Sequence, residues 1–216
     1  MISNAVVSTP IHRAGDRGWL IDVPPGHIAP LVLECRHRAW FSLIQDLVPA
    51  AASILVTAHS VDDMPRIRTL IDELLSEFDP TTAGDGVDGD IVTVPVVYDG
   101  EDLDYVADVL HLDHERIVRA HTGATHRVAF FGFAPGFAYI DGTAEQLSIP
   151  RRSSPRPRVD AGAVAIAGTQ TVVYPGGTPG GWHIIGHTDE VLWNIEWDHP
   201  SRLAVGDRII FQEVAR

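Results

Sequence analysis

The sequence predicts an α+β protein in two parts, a small α/β domain over residues 1–90 and a β-barrel domain over residues 91–216. Three observations point there. The 216 residues are 45% hydrophobic and 21% charged, enough apolar material for a packed core. As far as about Val97, short β-branched runs alternate with amphipathic stretches. From Thr125 onward the texture changes to many short β-rich runs cut by Gly/Pro clusters, the pattern of a closed or nearly closed barrel.

The elements follow in order. Trp19-Leu20-Ile21-Asp22-Val23 and Ser53-Ile54-Leu55-Val56-Thr57 read as strands. Between them Ile28, Leu31, Val32, Cys35, Ala39, Leu43 and Leu47 recur at helical steps, with Pro30 tolerated in the first turn. A second helix carries Ile67, Leu70, Ile71, Leu74, Leu75 and Phe78 on one face, with Asp62 or Asp63 able to cap it and Pro65 suited to its first turn. Residues 79–90 are Gly- and Asp-rich and lack the spacing of a calcium loop, so they read as a connecting loop. Residues 91–97 read as a further strand completing a βαβαβ-type sandwich, with the domain boundary drawn just before it. One or two helices are expected over 101–120, then strands over 126–131, 163–167, 171–174 and 182–185.

Composition excludes several functions. All sixteen basic residues are arginine, so neither a Walker A lysine nor a lysine Schiff base is available. A net charge of −13 argues against nucleic acid. A single cysteine, Cys35, excludes an internal disulfide and a multi-thiolate metal site, and its place on an apolar helical stripe marks it as packing. With neither a secretory leader pattern nor an apolar run of about 18 residues, a cytoplasmic protein with no membrane partner is expected. His111 and His114 lack a third ligand nearby, no Ser sits in G-x-S-x-G, and no metal site is evident.

Charge is unevenly spread. Residues 69–115 hold fourteen acidic residues and no Arg, whereas Arg151, Arg152, Arg156 and Arg158 fall within eight positions among prolines. Guanidinium forks bind carboxylate or phosphate bidentately, so this strip is a candidate anion site. The alternative is a solvated strip that pairs with the acidic stretch. Two further runs, Phe130-Phe131-Gly132-Phe133-Ala134-Pro135-Gly136-Phe137-Ala138-Tyr139 and Tyr174-Pro175-Gly176-Gly177-Thr178-Pro179-Gly180-Gly181-Trp182, combine aromatics with glycines that allow close backbone approach. They are read either as pocket walls or as aromatics closing a barrel end.

Gly132-Phe133-Ala134-Pro135-Gly136-Phe137, Pro150-Arg151, Pro155-Arg156, Arg158, the stretch from Ala161 to Gly168, Gln170-Thr171, Tyr174-Pro175 and Pro179-Gly180-Gly181-Trp182 together resemble the family of 5-oxoprolinase B subunits, also called KipI or allophanate hydrolase subunit 1. The likeness runs over roughly residues 15 to 212. It implies a ferredoxin-like α/β domain followed by a cyclophilin-like β-barrel. It also implies one component of an ATP-dependent enzyme that opens 5-oxo-L-proline to L-glutamate with the A subunit and the barrel-bearing C subunit of 5-oxoprolinase, ATP being bound by or shared within the complex. Ala138, Asp160, His183 and His187 stand where the family usually has Pro, Pro, Arg and Arg, which exchanges two permanent cations for titratable ones.

The candidate residues for an amide substrate or phosphate are His121, Phe133, Pro135, Gly136, Phe137, Arg151, Arg156, Arg158, Gln170, Tyr174, Trp182 and His183; no catalytic residue is assigned. Arg151, Arg156 and Arg158 are expected at the barrel mouth, facing Gln170, Tyr174 and Trp182. Two alternatives accompany this reading: a component of allophanate- or urea-related amide hydrolysis or carboxylation, and a KipI-type inhibitor of a histidine kinase.

Overall fold

Ile11–Ala14 (β1) and Gly18–Asp22 (β2) form an antiparallel hairpin, with Gly15 at φ 66° turning the chain between them. The computed structural model describes residues 9–79 and 89–215. The chain divides into two units, Met1–Asp88 and Gly89–Arg216. Most of the loop expected over residues 79–90 lies outside the described residues.

In the first unit, β2 is followed by Ile28–His37 (α1), Ile44–Pro49 (β3), Ser53–Ala58 (β4) and Met64–Glu77 (α2). The sheet runs β1-β2-β4-β3 and is antiparallel throughout. Ile21, Leu31, Cys35, Leu47, Ile54, Val56, Ile71 and Leu74 meet in its core. Burial pushes the Cys35 thiol up to about 12, against the weaker pull of the Arg36 and Arg38 charges.

Three expectations need correction here. The helical stripe does not continue to Leu47: α1 ends at His37, Ala39–Leu43 form a short 3₁₀ turn, and Ile44–Pro49 is a strand. A bulge between Ile44 and Asp46 spaces the buried Ile44 and Leu47 three apart, so the strand imitates a helical period. Secondly, Asp63 stands at the N-cap of α2 without a side-chain bond; Ser60 Oγ instead accepts from the Asp62 N–H one turn earlier. Thirdly, the βαβαβ reading gave this unit the strand at 91–97, whereas Ile91–Val96 (β5) belongs to the second unit and β1 fills the sheet edge.

In the second unit, Leu103–Leu110 (α3) and His114–Thr122 (α4) follow β5. Then come His126–Phe131 (β6), Ala138–Asp141 (β7), Arg156–Val159 (β8), Ala163–Ala167 (β9), Gln170–Val173 (β10), Thr178–Gly180 (β11), His183–His187 (β12) and Arg208–Glu213 (β13). Seven strands order as β12-β9-β10-β7-β6-β13-β5, with β5 and β13 parallel. Val97 and His187 exchange two backbone hydrogen bonds of 2.9 Å, which joins the two ends of the sheet and nearly closes the barrel. β8 and β11 form a separate ribbon.

Strand β9, between β12 and β10, is buried along its whole length. Val164 and Ile166 pack with Val94, Ile140, Ile185 and Phe211, while Ala163, Ala165 and Ala167 lie in the cluster of Phe137, Tyr174 and Trp182. Small and branched residues therefore alternate because one face of the strand meets aliphatic chains and the other meets large rings.

Candidate functional site

Those rings are the floor of a groove of about 360 Å³ lined by Phe133, Phe137, Tyr139, Arg151, Arg152, Pro155, Tyr174, Pro179, Gly180, Gly181 and Trp182. Its walls come from four separate stretches: the turn before β7, the 151–155 loop, the end of β10 and the chain through β11. Phe137 stands edge-on to Tyr174 at 5.3 Å and to exposed Phe133 at 5.3 Å, and Tyr139 meets Trp182 at 5.9 Å. Phe133 holds a left-handed backbone at φ 66°, an uncommon conformation for a bulky side chain. Gly180 is required: a Cβ there would fall 2.4 Å from the Tyr174 hydroxyl. Burial raises the Tyr174 pKa despite a hydrogen bond from the Trp182 backbone and the nearby Arg151 and Arg156 charges, so the phenol stays protonated.

The arginines divide into two kinds. Arg151 lies over the Trp182 ring at 5.6 Å and has no carboxylate partner among the described residues. Arg152 and Arg156 instead converge on Asp102, which is buried. Arg156 Nη2 reaches Asp102 Oδ1 at 2.8 Å, Arg156 Nε reaches Glu101 at 2.7 Å, and the Ile184 N–H donates to Asp102 Oδ2 at 2.7 Å. Burial pushes the Asp102 pKa up, but the Arg156 and Ile184 hydrogen bonds and the two guanidinium charges outweigh it and hold the carboxyl below its usual range. Pairing with the acidic stretch, the alternative raised for the arginine strip, thus describes Arg152 and Arg156.

The groove gathers Phe133, Phe137, Arg151, Tyr174 and Trp182 from the expected set and leaves the others elsewhere. Arg156 sits in the ion-pair cluster, and exposed Arg158 runs beside Gly177, so the two do not share the groove with Arg151. His183 is buried; its Nε2 donates to the Pro150 carbonyl at 3.0 Å and its ring stacks on Tyr105 at 5.3 Å. His121 is buried away from the groove between Tyr98 and Thr171, and Gln170 donates to Asp141 at 2.7 Å. Pro135 is exposed, and Gly136 lines a second cavity of about 250 Å³ with Trp193. His111 caps α3, exposed His114 pairs with Asp104 at 2.9 Å, and no metal-holding cluster of His, Cys, Asp and Glu occurs among the described residues.

Tyr139, Arg152, Pro155, Pro179, Gly180 and Gly181 fall within the runs that the sequence marks as pocket wall or anion strip, though outside its individually named candidates; what sequence reasoning missed is Asp102 as their support. The signal available was the excess of acid before α3 facing an excess of arginine after residue 150.

Chemically, the groove offers aromatic faces and one uncompensated cation. Its described lining has no carboxylate, imidazole or thiol to act as a general base. Aromatic rings and a guanidinium are the groups that a flat, anionic small molecule would contact.

The family described as carboxyltransferase domain, subdomain C and D, matches residues 9–203. The chain belongs to that family. This member is 43% identical over 128 residues to the 5-oxoprolinase B subunit of Bacillus subtilis (strain 168), a match covering 58% of the chain and 53% of that protein. It is 45% identical over 123 residues to the protein of the same name from Escherichia coli O157:H7, covering 56% of each. The matches therefore span about half the length of these curated relatives. Among solved structures, TTHA0988 superposes with a TM-score of 0.74 at 32% identity over 93% of this chain and 40% of that one. The uncharacterized protein PH0987 from Pyrococcus horikoshii gives 0.56 at 30% identity over 95% and 97%. Kluyveromyces lactis urea carboxylase shares the fold, with a TM-score of 0.63 at 18% identity over 96% of this carboxyltransferase-family chain and 22% of that one. No helix among the described residues is long and apolar enough to cross a membrane.

Proposed function

We propose that this protein is the B subunit of an ATP-dependent 5-oxoprolinase, which opens 5-oxo-L-proline to L-glutamate together with the A and C subunits. The observation that carries the reading is the groove, with ring faces from Phe137, Tyr139 and Trp182 and the unpaired Arg151 cation at its edge. The likeness to proteins named as 5-oxoprolinase B subunits supports the same reading. A five-membered lactam is flat enough to lie on those rings, and its carboxylate suits a guanidinium fork. An unstrained lactam is a poor electrophile, and a groove without a general base leaves water activation to another component of the complex. ATP supplies a phosphoryl group able to activate the lactam carbonyl, and Arg151 is this chain's groove cation able to meet a phosphate oxygen. The urea-related alternative draws on a shared fold alone, and nothing in the groove favours kinase inhibition over a small-molecule site.

The test is reconstitution. Purified chain mixed with the A and C subunits should release glutamate from 5-oxo-L-proline only when ATP and all three components are present. No ATP-dependent glutamate from the full set overturns the assignment.

A further inference from the structure

Asp102 stands at the N-cap of α3, where an aspartate ordinarily accepts from the first free N–H groups of the helix. Here its side chain makes no capping bond. Both oxygens are turned elsewhere: Oδ1 to Arg152 and Arg156, Oδ2 to the Ile184 N–H. Its own N–H donates to the Ile184 carbonyl at 3.0 Å, which fixes the residue against the chain that follows the groove wall. The Arg152 N–H donates to the Gly181 carbonyl at 2.7 Å, so the arginine loop and the glycine strand are also joined directly. These two neighbouring segments, residues 151–155 and 179–182, both line the groove.

We infer that Asp102 is the positioning residue of the groove, its carboxylate tying the arginine loop, through Arg152 and Arg156, and the chain just after Trp182, through Ile184, to the start of α3 so that Arg151 stays over Trp182. This rests on reading the groove as the 5-oxo-L-proline site. An aspartate that forgoes its helix cap for two guanidiniums and a backbone N–H on a different segment links segments; it does not serve its own helix. Its desolvation is compensated by those bonds, and removing its charge takes the carboxylate from Arg152 and leaves Arg156 with Glu101 alone. Arg151 touches neither Asp102 nor Glu101; it follows the loop that Arg152 anchors.

In the complex reconstituted with the A and C subunits, Asp102→Asn should raise KM for 5-oxo-L-proline about tenfold or more and leave kcat within about threefold. Arg152→Gln should do the same. The double variant should be no worse than either single one, because both act through one link. In the full chain alone, acrylamide quenching of Trp182, taken as the difference from matched Trp182→Phe proteins, should increase about twofold in Asp102→Asn. An unchanged KM in folded Asp102→Asn, or effects that multiply with Arg152→Gln, overturns the inference. If Asp102→Asn does not fold, Arg152→Gln cuts the same link from the other side and carries the test with the same outcomes. If the wild-type complex does not turn over 5-oxo-L-proline, the functional assignment fails. The quenching difference needs no substrate and then decides the positioning role: unchanged quenching overturns it.

Discussion

Tyr98 and His121 face each other across 2.7 Å, phenol oxygen to Nδ1. Burial, aided by the Glu213 charge, raises the phenol's pKa, and burial, aided by His126, holds the imidazole's well below the ordinary 6.5. The phenol therefore donates and Nδ1 accepts, which leaves Nε2–H to donate to Thr171 Oγ1 at 3.0 Å, with Thr143 Oγ1 a further 2.7 Å on. The relay is fully bonded only while His121 is neutral.

A pH dependence with a defined sign follows. The unfolded chain takes up a proton on this ring near its ordinary value, whereas the folded chain does so only well below it. Between the two, the unfolded state binds more protons, so stability rises with pH in that window and falls as pH drops below about 6.5. His126, also lowered by burial, acts in the same direction. Melting temperatures from pH 8 to 4.5 should decline on the acid side for wild type and decline less for His121→Gln, which also melts lower at pH 8. Parallel curves for the two proteins would refute this.

Gly136 holds φ 75°, and a Cβ there would fall 2.3 Å from Cγ of Trp193. Gly136→Ala should cost on the order of 2 kcal/mol or more in unfolding free energy, because backbone strain and a clash with a large ring coincide. Urea denaturation measures it. Gly168→Ala tests the backbone part alone, since φ is 57° there with open space around the added carbon, and should cost less.

Arg151→Lys keeps the charge over Trp182 and loses the planar fork. In the reconstituted complex kcat/KM should fall about tenfold, the worth of roughly one charge-assisted hydrogen bond. Arg158→Lys, on an exposed side chain beside Gly177, should leave it within about twofold. Equal losses from both would move the anion site out of the groove.

Cys35, pushed up to about 12 by burial, carries almost no thiolate at pH 8. The native chain should react with a thiol-specific disulfide reagent at least a hundredfold more slowly than the urea-unfolded chain. Comparable rates would mean that the first unit opens locally around α1.

The texture change after residue 125 was legible because a barrel strand repeats a strong local signal, apolar residues bounded by Gly or Pro. β3 was not, since its bulge disguised the period, and β1 was not, since Ile11-His12-Arg13-Ala14 is an edge strand with no buried residue. The aromatic and arginine halves of the groove could be named from the sequence. Their division into bound and unpaired arginines could not, because it depends on Asp102, which lies 50 positions from Arg152 and 54 from Arg156. A carboxylate chooses its partners through the fold, and one acidic residue among fourteen gives no local sign of that choice.

The parallel pairing of β5 with β13 also sets an order of events. β5 opens the second unit, and β13, which flanks it in register from Ile91 to Val96, is made only after every other strand of the barrel. During synthesis the apolar run Ile91-Val92-Thr93-Val94 waits without that neighbour, guarded by Pro95, whose missing N–H spoils one rung for any foreign strand. Pairing so distant in sequence slows folding. A ribosome-held chain stopped before Arg208 would expose this run to proteases and chaperones, and the last few residues of the sheet would switch that exposure off.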